Sequence, residues 1–202
     1  MSIENIISIY RLATPEEKKS GVTWYPIALT ECERIAIDLE IPINIVVGVV
    51  SALSPNNKWE RNIQNARDLC FAYINGEHME SVKVSTYHPM RQKAWNILGM
   101  ISNGCFTDDD IIKELNGQKI VQFFQNIMGY DGCTVDGHAK GIYIGERFGL
   151  TTSKNTVTKS EYKEISNAYR LAGKKVRFQK RSLKAHEIQA ITWLVWKRIH
   201  NI

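Results

Sequence analysis

The chain has 202 residues, 44% hydrophobic and 23% charged, a balance that excludes wholesale disorder and a fibrous chain and allows one sizeable core or two small lobes. No stretch approaches the roughly 18 consecutive apolar residues of a membrane span, and MSIENIISIY lacks the basic start and cleavage site of a signal peptide, so a cytoplasmic chain without a membrane partner is expected. The net charge of +5 is uneven: residues 1–150 hold 14 Lys+Arg against 18 Asp+Glu, whereas residues 151–202 hold 12 against 3, which suits either a polyanion footprint or a solvated basic helix face.

Helical periodicity dominates and no run alternates between hairpin turns, which predicts an all-α fold. The expected helices run over about 2–12, 24–39 and the very apolar 43–53. A polar turn, Ser54 to Asn57, follows, and Trp59, Arg61 and Asn62 open a helix over about 59–75. The amides of Asn56 and Asn57, the Trp59 indole and the Arg61 guanidinium suit hydrogen bonding to a base edge and stacking on its face. The plainer reading is a capped turn with Trp59 in the core.

Helices over about 89–102 and 108–115 lead to LNGQKIVQFFQNI. In its helix, 118–128, Ile120, Phe123, Phe124 and Ile127 recur at i, i+3, i+4 and i+7 as a buried stripe, while Lys119, Gln122 and Asn126 share another face. Lys119 stands in the first turn, where the helix dipole disfavours a cation. That placement suits a nucleophilic amine, a phosphate contact beside the free backbone N–H groups, or an exposed lysine with no role.

Asp136, in CTVDGHAKGIYIG, reads as the N-cap of a helix over 137–147, accepting from the N–H of His138 or Ala139. A carboxylate fixed there is also what stabilises a cationic sugar transition state or orients an attacking water, and the two readings are compatible. TTSKNTVT at 151–158 is the linker candidate, and helices over about 159–172 and 184–200 follow. In the last helix Ile188, Ile191, Val195 and Ile199 form one stripe, and Gln189, Trp193, Trp196 and His200 a neighbouring one. Gln189 needs a partner if it is buried, and the two tryptophans are either core or ligand platform. Cys32, Cys70, Cys105 and Cys133 lie too far apart for zinc or iron–sulfur spacing and read as reduced core thiols; with the histidines equally scattered, neither metal nor cofactor is expected.

The order of these pieces resembles the helix-hairpin-helix-GPD superfamily of DNA glycosylases. The apolar helix running into SAL and the turn at 51–57 is similar to their LLSAQ-type segment, and Tyr87 with Arg91 to Ala94 is similar to a Y-x-x-K-A step. Leu115-Asn116-Gly117-Gln118-Lys119 resembles a shortened L-P-G-x-G-x-K hairpin, and Val135-Asp136-Gly137-His138 a V-D-x-H segment. A resemblance over nearly the whole length is to the glycosylase-like group of phages and bacteria known as alpha-glutamyl/putrescinyl thymine pyrophosphorylases. It is carried by Trp24-Tyr25-Pro26, Ser54 to Asn62, Lys119 to Ile127, Val135 to Ala139 and Gln189 to Trp193.

The resemblance implies a two-lobed helix-hairpin-helix glycosylase-like fold in a single domain, 1–202, with lobe one over about 45–130 and lobe two over about 1–44 plus 131–202. It implies a hydrolase of base excision, in a bacterial or phage-infected cell, that cleaves the N-glycosidic bond of a modified or damaged base flipped out of DNA. Asp136 takes the place of the catalytic carboxylate and Lys119 that of the Schiff-base lysine. Asn56, Asn57, Trp59, Asn62, Asn126, His138, Gln189 and Trp193 would hold the base, and Gly117, Gln118 and Lys140 would contact the DNA. Two alternatives keep the fold: a thymine-hypermodification enzyme using the same pocket, and a non-catalytic DNA-binding module.

Overall fold

The computed structural model describes residues 2–104, 106–149 and 156–202. These residues form ten α-helices and no strand, so the chain is all-α. The helices are α1 (Ser2–Arg11), α2 (Pro15–Leu39), α3 (Ile43–Leu53), α4 (Trp59–Ile74), α5 (His88–Gly99), α6 (Asp108–Leu115), α7 (Gln118–Ile127), α8 (Gly137–Ile144), α9 (Lys159–Lys175) and α10 (Ala185–His200). Cys105 and residues 151–155, most of the expected linker, lie outside the described residues.

Two boundaries depart from the sequence pattern. α2 begins at Pro15, nine residues before the expected start at 24. A reciprocal cap drives it: Thr14 Oγ1 accepts from the Glu17 N–H at 3.1 Å, and Glu17 Oε2 accepts from the Thr14 N–H at 2.9 Å. Pro15 at the first position loses only an N–H that would have been orphaned anyway. α8 ends at Ile144, three residues before the expected 147, because the N–H groups of Gly145 and Glu146 both turn back onto the Gly141 carbonyl, at 2.8 and 3.0 Å.

The chain divides into a continuous unit, Ile27–Met128, and a split unit of Met1–Pro26 with Gly129–Ile202. Residues 27–44 thus fall in the continuous unit, where polar links fasten them. The Trp59 indole N–H donates to Glu31, Arg67 pairs with Asp38, and the Asn44 amide donates to Asp108, each at 2.9 Å.

In the continuous unit α3 is apolar on every face, and all nine residues from Ile45 to Leu53 are buried. It packs against α4, α5, α6 and α7. At about 1.5–3 kcal/mol for each large side chain removed from water, that burial contributes strongly to the unit's stability. In the split unit α1, α8, α9 and α10 share a core that includes Ile6, Tyr10, Ile142, Tyr169, Ile188 and Val195. All eight residues from Ala185 to Thr192 are buried, so the first half of α10 is enclosed. Gly21 of α2 permits the close approach on one side: a Cβ there would lie 2.4 Å from Ile191 Cγ1 and 2.7 Å from its Cα.

Candidate functional site

In the split unit the candidate carboxylate is fixed by a backbone N–H of α8 and by the segment that leads to it. Asp136 caps α8, its Oδ1 accepting from the Ala139 N–H at 2.8 Å, and it makes no ion pair among the described residues. The segment before it, Cys133 to Val135, is buried and not helical. Tyr162 of α9 spans it with one hydroxyl, which donates to the Cys133 carbonyl at 3.0 Å and accepts from the Val135 N–H at 3.2 Å. Between those two residues, Thr134 Oγ1 accepts from the Tyr25 hydroxyl at 3.2 Å.

Tyr25 also answers the question raised by Gln189. The glutamine is buried, and its Oε1 lies 3.5 Å from the same tyrosine hydroxyl, which donates to it. His186 stands edge-on to the Tyr25 ring, centroids 5.4 Å apart, with its Nδ1 4.0 Å from Asp131 Oδ1 and no hydrogen-bond partner for that nitrogen. Burial pushes the imidazole below its usual range. Tyr25, Tyr162 and His186 were not singled out by sequence reasoning; only Tyr25 carried a signal, as the centre of WYP.

Lys140, expected on DNA, is 7% exposed and engaged internally. Its ammonium pairs with Glu161 Oε1 at 2.8 Å and donates to the Thr156 carbonyl at 2.7 Å. Glu161, also hydrogen-bonded to Thr158 in the cap of α9, is held at about 2 by that lysine first. The expectation fails because α8 turns this side chain inward, toward the start of α9. His138 is half-buried in the first turn of α8, and Trp193 is half-buried with the Lys197 ammonium 4.3 Å above its ring. Trp196 is core.

In the continuous unit, α3 ends where the Ser54 N–H and hydroxyl both donate to the Ser51 carbonyl, at 3.3 and 2.9 Å. Asn56 follows in the left-handed region (φ 53°), and its amide donates to the Tyr87 hydroxyl. The Asn57 amide donates to the Leu53 carbonyl at 3.3 Å and to Asn65 Oδ1 at 3.4 Å. Asn62, 1% exposed, donates to the Val50 carbonyl at 3.0 Å. Three buried oxygens here have no hydrogen-bond partner among the described residues: Ser51 Oγ, Asn57 Oδ1 and Asn62 Oδ1. Besides its bond to Glu31, the half-buried Trp59 meets Phe123 edge to face, centroids 6.4 Å apart. Asn65, missed in the sequence, ties the turn to a second segment by accepting from the Ser85 N–H at 2.9 Å and donating to the Lys83 carbonyl at 3.4 Å. Its signal was an amide one helical turn beyond Asn62.

The α6–α7 connection is a two-residue helical hairpin. Asn116 is left-handed (φ 42°) and donates its N–H to the Ile112 carbonyl at 3.1 Å; Gly117 is the extended N-cap of α7. Gln118 is exposed and Lys119 half-buried in the first turn of α7. Asn126, placed by periodicity on the polar face, is 1% exposed, and its Oδ1 accepts from Gln122 at 2.9 Å. Phe123, assigned to the buried stripe, is only half-buried.

Residues 1–200 match a family described as a family of unknown function, DUF7178. The chain belongs to the DUF7178 family. No curated protein and no solved structure matches it. In this DUF7178 chain the singled-out residues fall into two sets. Asn56, Asn57, Trp59, Asn62, Gly117, Gln118, Lys119 and Asn126 lie in the continuous unit, whereas Asp136, His138, Lys140, Gln189 and Trp193 lie in the split unit. Among the described residues of the DUF7178 chain no three His, Cys, Asp or Glu side chains are placed to hold a metal ion, and no helix is long and apolar enough to cross a membrane.

Proposed function

We propose that the chain is a DNA glycosylase-like enzyme that cleaves the N-glycosidic bond of a modified or damaged base flipped out of DNA, with Asp136 as the key carboxylate. The observation that carries this reading is how Asp136 is held. One oxygen is fixed by the Ala139 N–H, the preceding backbone is clamped through Tyr162, and no cation neutralises the group among the described residues. A carboxylate aimed in this way suits a reaction in which positive charge develops on a sugar. The C1′–N bond breaks with its electron pair leaving on the base, which takes up a proton. Water adds to C1′, giving the free base and an abasic site. Lys119, beside the free N–H groups at the start of α7, contacts a phosphate or forms a Schiff base with the sugar.

The test is incubation with oligonucleotides containing thymine, uracil, hydroxymethyluracil and bulkier thymine or cytosine adducts, followed by measurement of released base and abasic sites. Release from at least one substrate, lost in Asp136→Asn, supports the reading. No release from any substrate, with Asp136→Asn changing nothing measurable, ends it. An altered base that stays attached assigns the chain to thymine hypermodification instead. Borohydride trapping decides Lys119: no crosslink on a cleaved substrate leaves it as a phosphate contact.

A further inference from the structure

The chain passes from the last turn of α9 to α10 through a connection over 176–184, closed at its base by Gly173 and Leu183, that the proposed chemistry does not use. Its base is pinned: the Leu183 N–H donates to the Gly173 carbonyl at 3.1 Å, and a Cβ on Gly173 would stand 2.5 Å from the Leu183 carbonyl oxygen, so glycine alone admits this approach. Farther out, Phe178 and Arg181 exchange backbone hydrogen bonds at 2.9 and 3.1 Å. That leaves a two-residue tip, Gln179 and Lys180, with both residues left-handed (φ 50° and 68°). Such tips are normally Asn-Gly or Gly-Gly, because side-chain-bearing residues are strained there. Here the strained position carries a lysine.

Six exposed cations lie on this loop and its edge: Lys174, Lys175, Arg177, Lys180, Arg181 and Lys184, with no acidic residue anywhere from 165 to 186. The arginines build the loop. Arg177 donates to the carbonyls of Lys174 and Val176 at 2.8 and 3.1 Å, closing the end of α9, while its own carbonyl accepts from the Tyr10 hydroxyl at 3.0 Å. Arg181 grips Glu187 through two bonds of 2.8 and 2.6 Å. The four lysines make no ion pair among the described residues. The whole split unit holds 17 Lys+Arg against 9 Asp+Glu, whereas the continuous unit holds 9 against 12.

We infer that this loop is a nucleic-acid backbone anchor, in which Lys174, Lys175, Lys180 and Lys184 contact the phosphates of duplex DNA. Lysines that form no ion pair release counterions when they meet a polyanion, and the pinned loop holds them in place beforehand. The loop offers no exposed apolar residue for insertion into lipid. Val176 and Leu183 are buried and Phe178 packs against the core, so nucleic acid is favoured over an anionic membrane. The anchor does not depend on Asp136 breaking a bond, and binding tests it separately from base release.

The experiment compares wild type, K174Q/K175Q/K180Q/K184Q and an R34Q/K83Q control on the continuous unit, using fluorescence anisotropy with a labelled 25-base-pair duplex between 50 and 200 mM KCl. The expected result is a roughly 10- to 100-fold loss of affinity in the quadruple variant and a salt slope shallower by about 0.9 for each phosphate contact removed, with the control near wild type. Equal affinity and slope in wild type and quadruple variant overturns the inference. So does wild-type binding to phosphatidylglycerol vesicles with none to the duplex. If the quadruple variant loses its helical circular dichroism, Lys180→Gly decides. It relieves the left-handed strain, so Tm should stay or rise while affinity falls, and unchanged affinity overturns the anchor.

Discussion

Asp136 serves two purposes that substitution separates. Asn at an N-cap also accepts from the Ala139 N–H, so Asp136→Asn should leave thermal stability within experimental error while abolishing base release. Asp136→Ala should lose both, with about 1 kcal/mol of cap energy gone and Tm lowered by roughly 2–4 °C. A tyrosine-lined neighbourhood supplies a second prediction. His186 is pushed below 6.5 by burial, against the favourable pull of Glu187 and Asp131 and with the opposing push of Lys184 and Arg181. Its folded form therefore resists a proton that the unfolded chain accepts, and stability is lost as pH falls below about 6.5 until the folded imidazole is itself protonated. Carboxylates such as Glu17 and Glu187, lowered from 4.5 by their arginines, add their losses only at lower pH. Urea midpoints measured at pH 7.0 and 5.5 should differ in wild type and differ less in His186→Gln. An equal difference in the variant would remove His186 as the cause.

At the scale of elements, short-range signals were legible and long-range partners were not. The apolar run of α3, the LNGQK turn and the N-cap at Asp136 follow from residues within a few positions of one another. The start of α2 was also written locally, in Thr14 to Glu17, but the charged EEKKS run and Gly21 masked the helical period that would have drawn attention to it. Lys140 could not be read correctly from sequence, because its partner Glu161 lies 21 positions away on another helix. Asn126 followed the polar stripe by spacing, yet it is buried. Gly21 gives the element-scale test. Alanine is favoured over glycine in a helix by about 1 kcal/mol, but here the added carbon meets the backbone of Ile191, and overpacking costs about 1–3 kcal/mol. Gly21→Ala should therefore lower Tm, and a rise would show that α2 and α10 can separate at little cost.

For the molecule as a whole, three buried thiols report on both units. Burial pushes Cys32 and Cys70 up to about 12 and raises Cys133 well above its ordinary value, so little thiolate exists at neutral pH in the folded chain. Iodoacetamide at pH 8, followed by peptide mass spectrometry, should leave Cys32, Cys70 and Cys133 unmodified until urea unfolds the chain. Cys133 would then follow the split unit, and the other two the continuous one. An all-helical architecture also has to support the few buried stretches that are not helical. A strand obtains its hydrogen bonds from a neighbouring strand, and here the described residues offer none. Tyr162 stands in for that missing neighbour: a single phenol oxygen donates to one peptide group and accepts from another two residues on, as an adjacent strand would. The backbone leading to Asp136 thereby has its register set by a side chain, so the position of the proposed catalytic carboxylate depends on one atom that lies 26 residues away in the chain.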